Sequence, residues 1–232
     1  MRAKGNPRDT GWAILALLFG LFVGPPVGAE SSAPIELTRN EVRVLAIARP
    51  GRFQGFIPQW FGMPGYHLLV WEEGSAARNA LFTTSVTDRE FLEALRSLGV
   101  APGPGLPMNT WESRRDLRST DPDRYVEGPP LSIFVSWDAQ PEPLEMKHLL
   151  SDTGSKGLDF RLAGNETNIK TWKSGCGICL YSCPGGKIAN ATYTVRDYVR
   201  GTTQFRVTNR FPPAGTPVTL IVRLTDASGT IK

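Results

Sequence analysis

Apolar stretches of the length and spacing of β-strands dominate the chain. The segment Ile35–Ala48 alternates apolar and polar residues and predicts one or two strands that turn near Asn40. Tyr66–Trp71 and Ala80–Val86 are apolar runs separated by a Gly-Ser turn signal, which predicts a hairpin. Further strands are predicted at Leu131–Ala139, Leu158–Gly164, Thr202–Asn209 and Pro217–Leu224.

One segment carries a clear helix signal. Thr87 is suited to cap a helix, and Glu90 three residues later completes a capping box. Phe91, Leu95 and Leu98 then form an apolar stripe at helical spacing. The pattern predicts a helix of about three turns from Thr87 to Leu98, with this stripe buried against the sheet.

Strands outnumber helices, and the two do not alternate regularly along the chain. No internal repeat is found. This arrangement predicts an α+β fold: a single β-rich domain with a mainly antiparallel sheet and at least one packed helix.

The amino terminus has the pattern of a secretory signal peptide. Three basic residues precede the uncharged run Trp12–Gly24, and a Val-Gly-Ala sequence that ends at Ala29 offers a small-residue cleavage site. We therefore predict a signal peptide at residues 1–29 and a mature domain at 30–232, in the periplasm or another extracytoplasmic compartment. An uncleaved membrane anchor is the alternative, because two prolines lie close to the cleavage site. If cleavage occurs, membrane contact is expected only through the signal segment.

The charge of the chain argues against a nucleic-acid partner. The formal net charge is +4, and the predicted signal peptide holds three basic residues and one acidic residue, which leaves +2 after cleavage. The densest basic stretch, Arg114–Arg124, is interleaved with three aspartates and predicts a solvated loop rather than a basic binding face.

All three cysteines of the chain lie within eight residues. Cys176, Cys179 and Cys183, followed by Pro184, have the spacing C-x-x-C-x-x-x-C-P. This reproduces the last three cysteines and the proline of the bacterial ferredoxin run, with Lys173 at the position of the first cysteine. The spacing predicts a tight loop or a single helical turn in which three sulfurs converge. A [4Fe–4S] cluster held there would have one iron open to another ligand.

The chain has two histidines, and either could complete a Cys₃His site that zinc would also accept. These are His67, in a predicted strand, and His148, in the sequence MKHLL. A lone histidine is more often an ordinary core or surface residue, and that alternative holds for both.

The cysteine segment also resembles a known family. The sequence SGCGICLYSCPGGKIANATYT, from Ser174 to Thr194, is similar to the signature of the YdjY-like family. The resemblance extends over the predicted strands and helix and covers about Ile35 to Leu224. It implies an exported bacterial protein with a ferredoxin-like cysteine motif, in a family of unestablished function.

Export leaves a second interpretation of the cysteines open. An unfolded chain would lose a cluster assembled inside the cell, and the compartment outside favours disulfides. Cys176 could then pair with Cys179, or Cys179 with Cys183, with the third thiol free and no cofactor bound. The sequence thus supports a metal-binding or iron–sulfur redox accessory protein, or a thiol/disulfide redox or sensing module. An exported or membrane redox protein is the expected partner in the first case.

No catalytic motif points to an enzyme. Nucleophile-elbow, zinc-protease and phosphate-loop patterns are absent from the sequence, so we assign no catalytic residue and favour a protein that is not an enzyme by itself. Asn165-Glu166-Thr167 matches a glycosylation sequon but is interpreted as a turn. The aromatic residues Trp60, Phe61, Tyr66 and Trp71 leave open an extracytoplasmic protein-binding module, although packing in the core is the favoured explanation for them.

Overall fold

The computed structural model describes residues 33–51, 65–116, 118–202, 204–226 and 231. The predictions made for residues 1–29 and for Trp60 and Phe61 lie outside these ranges. The strands are β1 Ile35–Leu37, β2 Glu41–Ala48, β3 His67–Trp71, β4 Ala80–Thr84, β5 Pro130–Trp137, β6 Gln140–Glu145, β7 Leu150–Asp152, β8 Phe160–Leu162, β9 Cys176–Cys179, β10 Ile188–Asn190, β11 Phe205–Val207 and β12 Pro217–Leu224. The helices are α1 Asp88–Arg96, α2 Asn109–Glu112, α3 Thr167–Trp172 and α4 Val195–Arg200, with 3₁₀ turns at Ala77–Asn79, Ser113–Arg115 and Met146–His148.

Eight strands close into a barrel. Their order is β2-β12-β5-β8-β10-β9-β3-β4, and β4 pairs again with β2 through Ile47 opposite Thr83 and Ala48 opposite Phe82. The pairs β9–β10 and β3–β4 are parallel, and the other pairs of the barrel are antiparallel. Outside the barrel, β1 extends β2, β6 pairs with β5, and β7 and β11 form a separate two-stranded sheet.

The predicted fold class is wrong. We expected an α+β domain with a mainly antiparallel sheet and a packed helix, whereas the described chain is mostly β, with a mixed barrel and few, short helices. Periodicity identifies strands and their buried faces, but it does not show which strands pair or whether the sheet closes.

The predicted hairpin between β3 and β4 is also wrong. The two strands are parallel, with His67 opposite Ala80 and Trp71 opposite Thr84. The short connection contains a 3₁₀ turn at Ala77–Asn79, which returns the chain so that β4 starts level with the beginning of β3.

The predicted helix is present as α1. Thr87 Oγ1 accepts a hydrogen bond from the Glu90 amide at 3.2 Å, and Glu90 Oε2 accepts one from the Thr87 amide at 2.9 Å, which completes the capping box. Phe91 and Leu95 are buried, whereas Leu98 is only half-buried because the helix ends at Arg96. A Cβ added to Gly177 would lie 3.1 Å from the Phe91 ring, so α1 packs directly on β9.

Burial differs between the two sides of the barrel. Alternate residues of β2 and β5 are buried, as expected for strands with one solvated face. In β4, β9 and β10 every residue is buried, because other parts of the chain cover the outer face. The cysteine segment therefore lies in the interior. Among the described residues, none of the helices has the length and apolar character needed to cross a membrane.

Candidate metal centre

Two neighbouring strands bring the cysteines and one histidine together. Cys176 and Cys179 lie at the two ends of β9, and His67 is the first residue of the antiparallel strand β3, directly opposite Cys179. The pairing of β3 with β9 is irregular, with register shifts on both sides of Leu69. Residues three apart on a regular strand would point to opposite faces. The predicted loop or helical turn is therefore wrong for Cys176–Cys179, and the sulfurs converge because the strand is distorted and ends at Cys179.

The ligand atoms of three residues lie close together. The Sγ atoms of Cys176 and Cys179 are 2.7 Å apart, which is longer than the 2.05 Å of a disulfide bond, and both thiols are free. His67 Nδ1 lies 3.3 Å from the Sγ of Cys176 and 3.9 Å from the Sγ of Cys179. These three atoms all lie within 4.8 Å of one another and could hold a metal ion.

The third cysteine belongs to the same buried cluster. Cys183 follows β9 by four residues, is fully buried, and packs in the core group that contains Cys176 and Cys179. Its side chain hydrogen-bonds to Cys179. The structure therefore brings His67, Cys176 and Cys179 together, and Cys183 lies beside them but outside the group of ligand atoms within 4.8 Å of one another.

His148 and Lys173 lie elsewhere. His148 is an exposed residue of the 3₁₀ turn Met146–His148 and is not a member of the group of close ligand atoms. Lys173, which occupies the position of the first ferredoxin cysteine, is exposed and ends α3 in a left-handed conformation, with φ of 51°. Of the two histidines, His67 is therefore the one that the fold places at the cysteines.

The donor set fits a single ion. Four ligands at 2.0–2.3 Å from one tetrahedral ion lie about 3.3–3.8 Å from one another. The two sulfur–nitrogen distances, 3.3 and 3.9 Å, are close to that range. The two close sulfurs would have to separate by about 1 Å to reach that geometry. In a [4Fe–4S] cluster each cysteine binds a different iron, so its sulfurs must lie farther apart than the ligands of one ion.

The surroundings make the two close thiols unequal. Burial disfavours the thiolate of Cys176, but the hydrogen bond with Cys179 and the charge of His67 outweigh it and hold the pKa of Cys176 below its usual value. Burial raises the pKa of Cys179, and its hydrogen bonds with Cys176 and Cys183 raise it further. The Cys176 thiol therefore ionises more readily than the Cys179 thiol, and its sulfur is the one nearer the His67 imidazole.

An aromatic group covers the imidazole. The ring of Tyr66 lies on His67 with 4.0 Å between centroids, and it also contacts Trp111 at 5.7 Å and Tyr198 at 4.7 Å. Burial raises the pKa of the Tyr66 hydroxyl, and negative charge on each of the three cysteines raises it further. Tyr66, one of the aromatic residues predicted to form a docking surface, therefore lies near all three sulfurs.

Two asparagines hold the cysteine loop, and the sequence analysis assigned neither of them to the site. Asn165 Nδ2 donates to the carbonyls of Cys183 at 3.0 Å and Gly186 at 2.6 Å, and its Oδ1 accepts from the Leu106 amide at 2.6 Å. Asn168 Nδ2 donates to the Pro184 carbonyl at 2.8 Å. Both asparagines are buried. Asn165 has the left-handed φ of 50° that is typical of the predicted turn, and its side chain in addition holds the cysteine loop.

Close contact between two glycines sets the path of the chain into β9. Gly175 has φ of 68°, and a Cβ added there would lie 2.8 Å from the Cα of Gly74. The Gly175 carbonyl accepts a hydrogen bond from the Trp71 amide at 2.9 Å. The backbone before Cys176 can therefore lie directly against the loop after β3, which fixes the cysteine beside the strand that carries His67.

Comparison with known proteins supports the resemblance seen in the sequence. The profile of the YdjY domain family matches residues 35–223. The uncharacterized protein YdjY of Escherichia coli (strain K12) is 31% identical over 168 residues, which cover 72% of this chain and 67% of that protein. No solved structure matches the chain significantly.

Proposed function

The chain belongs to the YdjY family, and we propose that it is an exported protein that binds one soft metal ion through His67 and the three cysteines. In this proposal the ion serves an extracytoplasmic redox or metal-handling system, and Cys183 is the fourth ligand. The observation that carries the proposal is the close group formed by His67 Nδ1 and the sulfurs of Cys176 and Cys179, all buried.

The chemistry of the donors favours zinc or another soft ion. Thiolates and imidazole together are typical ligands of zinc and copper(I), whereas magnesium and calcium take oxygen ligands. The compact donor set favours a single ion over the iron–sulfur cluster that the cysteine spacing predicts. A single ion could also be acquired after export, which removes the difficulty of carrying an assembled cluster across the membrane.

The distance between two sulfurs supports a second candidate, a thiol/disulfide module. The sulfurs of Cys176 and Cys179 are 2.7 Å apart, so a small movement would allow a disulfide to form. The complete burial of both thiols opposes this candidate, since redox-active cysteines are usually accessible to a partner. The convergence of His67 on the same sulfurs is explained by metal binding and not by a disulfide.

Metal analysis of protein purified without oxygen from its native compartment tests the proposal. We expect about one equivalent of a single metal per chain and no acid-labile sulfide, since the proposed set of one histidine and three cysteines would hold one tetrahedral ion. A stoichiometric sulfide content would instead establish an iron–sulfur cluster. Absence of metal, together with a Cys176–Cys179 disulfide in the peptide map, would favour the thiol module.

Export is tested separately at the amino terminus. We expect the mature chain to begin at or near Glu30 and to fractionate outside the cytoplasm without detergent, because the predicted cleavage site ends at Ala29. Amino-terminal sequencing of the fractionated protein measures this. An intact chain from Met1 in the membrane fraction would contradict cleavage and identify Trp12–Gly24 as an anchor.

A further inference from the structure

A buried lysine lies beside the cysteine segment. Lys187 is 1% exposed and is the one lysine buried among the described residues. Its Nζ donates to the Gly185 carbonyl at 2.8 Å and lies 3.2 Å from Oδ2 of Asp88, which is itself buried at the start of α1. A charged group this deep in the protein is costly unless its charge is compensated.

Stability does not explain this ion pair. The desolvation of two charges usually cancels their attraction, and replacement of a buried pair by apolar groups is often neutral or stabilising. The pair is therefore weak evidence for a structural purpose. The position of the ion pair beside the proposed metal centre suggests an electrostatic purpose instead.

Lys187 is attached to the cysteine segment at several points. Its backbone amide donates to the carbonyl of Gly177, which lies between Cys176 and Cys179. Its side chain holds the carbonyl of Gly185, and the adjacent Gly186 leaves so little space that an added Cβ would lie 3.1 Å from the Cys179 sulfur. The lysine is therefore fixed relative to the sulfurs by the same short loop that carries them.

The positive charge of Lys187 is opposite in sign to the net charge expected of the metal-bound centre. Three thiolates, a neutral imidazole and a divalent ion carry one net negative charge, which the protein interior stabilises poorly. Lys187 places a buried positive charge on the loop that carries the sulfurs. We propose that Lys187 is a positioning residue that supplies the counter-charge of the metal centre, with Asp88 holding its ammonium group in place. This inference rests on the proposed metal-binding function.

Two single substitutions separate an electrostatic purpose from a structural one. Lys187→Met removes the positive charge and leaves Asp88, whereas Asp88→Asn removes the negative charge and leaves the lysine. Both break the same ion pair. If the lysine compensates the centre, Lys187→Met should weaken metal affinity and Asp88→Asn should not. If the pair only supports the fold, they should act in the same direction.

The test is a competition titration of zinc against a chromophoric chelator, on reduced full-length mature protein at constant pH. We expect Lys187→Met to weaken zinc affinity by roughly 10–100-fold, the range for groups that support metal ligands, and Asp88→Asn to leave it unchanged or tighten it. The matched control is Lys170→Met, an exposed lysine of α3, which should not change the affinity. Equal losses in the two pair variants, or no loss in Lys187→Met, would overturn the inference while the proposed function stands.

A further variant covers failure of Lys187→Met to fold. The double variant Lys187→Met/Asp88→Leu replaces the pair with apolar groups and is expected to fold. Compared with Asp88→Asn it lacks the lysine charge, so it should bind zinc at least about 10-fold more weakly. Equal affinities would refute the counter-charge. If the wild-type protein bound neither zinc nor copper(I), the proposed function would be rejected, and this inference with it.

Discussion

Replacement of Cys176 by serine is expected to weaken metal affinity by more than the roughly 10–100-fold that loss of a supporting group causes, because it removes a ligand itself. Cys176 is the sulfur nearest His67 Nδ1, at 3.3 Å, and its surroundings favour the thiolate. A serine hydroxyl in the same position would not ionise at neutral pH and is a poor ligand for a soft ion. The measurement is metal content after dialysis against a weak chelator, with zinc titration of the reduced protein.

The two histidines supply a matched pair of controls. His67→Gln should weaken zinc binding strongly, since it removes the nitrogen that lies beside both close sulfurs. His148→Gln makes the same chemical change at an exposed position outside the centre and should leave metal content unchanged.

Cys183→Ser tests the fourth ligand and should weaken metal binding if Cys183 completes the tetrahedron.

Other outcomes would contradict the assignment. Retention of a full equivalent of metal by Cys176→Ser would place the ion elsewhere. Loss of metal from His148→Gln as well as from His67→Gln would indicate that the substitutions act through unfolding, which circular dichroism of the same samples would reveal. A selective loss in the variants of the centre is the result that supports a Cys₃His site.

Local signals in the sequence were sufficient for parts of the fold. The capping box at Thr87 and Glu90 and the stripe of Phe91 and Leu95 depend on residues within one helix, and α1 forms as they predict. The strand pattern was likewise read correctly for β2, β5 and β12. Closure of the barrel depends instead on the pairing of β4 with β2. The periodicity of a strand shows which of its faces is buried, but it does not identify a partner strand that is distant in the sequence.

The candidate site shows the same division between local and distant information. The spacing of the cysteines indicated a shared site, but the sequence offered no means of choosing between His67 and His148. That choice is made by the pairing of β3 with β9, which joins residues more than one hundred positions apart. The buried Lys187 was missed for a similar reason, because its partner Asp88 lies on a distant helix.

At Asn165 the local sequence pattern predicts a turn, but it does not indicate the hydrogen bonds that this residue makes with distant parts of the chain. A left-handed asparagine next to a glycine is typical of a turn, and the sequon around it drew attention to the surface. In the fold the amide is buried and both donors of Nδ2 are occupied by carbonyls of the cysteine loop. A glycan at this nitrogen would be incompatible with those contacts.

Substitution of Asn165 by alanine is expected to lower the free energy of unfolding by about 4 kcal/mol or more. The change leaves the Leu106 amide and the carbonyls of Cys183 and Gly186 without their partner, and each unsatisfied buried group costs about 1–3 kcal/mol. The left-handed backbone adds about 1 kcal/mol for a residue with a Cβ and no local hydrogen bond. Urea unfolding of the reduced, metal-free protein measures the effect without a contribution from bound metal.

Two further variants separate the causes of this loss. Asn165→Gly removes the same three hydrogen bonds but tolerates the left-handed backbone, so it should be destabilised somewhat less than Asn165→Ala. Asn79→Ala changes an exposed asparagine and should alter stability by no more than about 0.5 kcal/mol. A loss below about 1 kcal/mol in Asn165→Ala would mean that water or a shifted loop satisfies the freed groups. If Asn165 holds the cysteine loop as its contacts indicate, Asn165→Ala should also bind zinc more weakly, because Cys183 would no longer be held in place through its carbonyl.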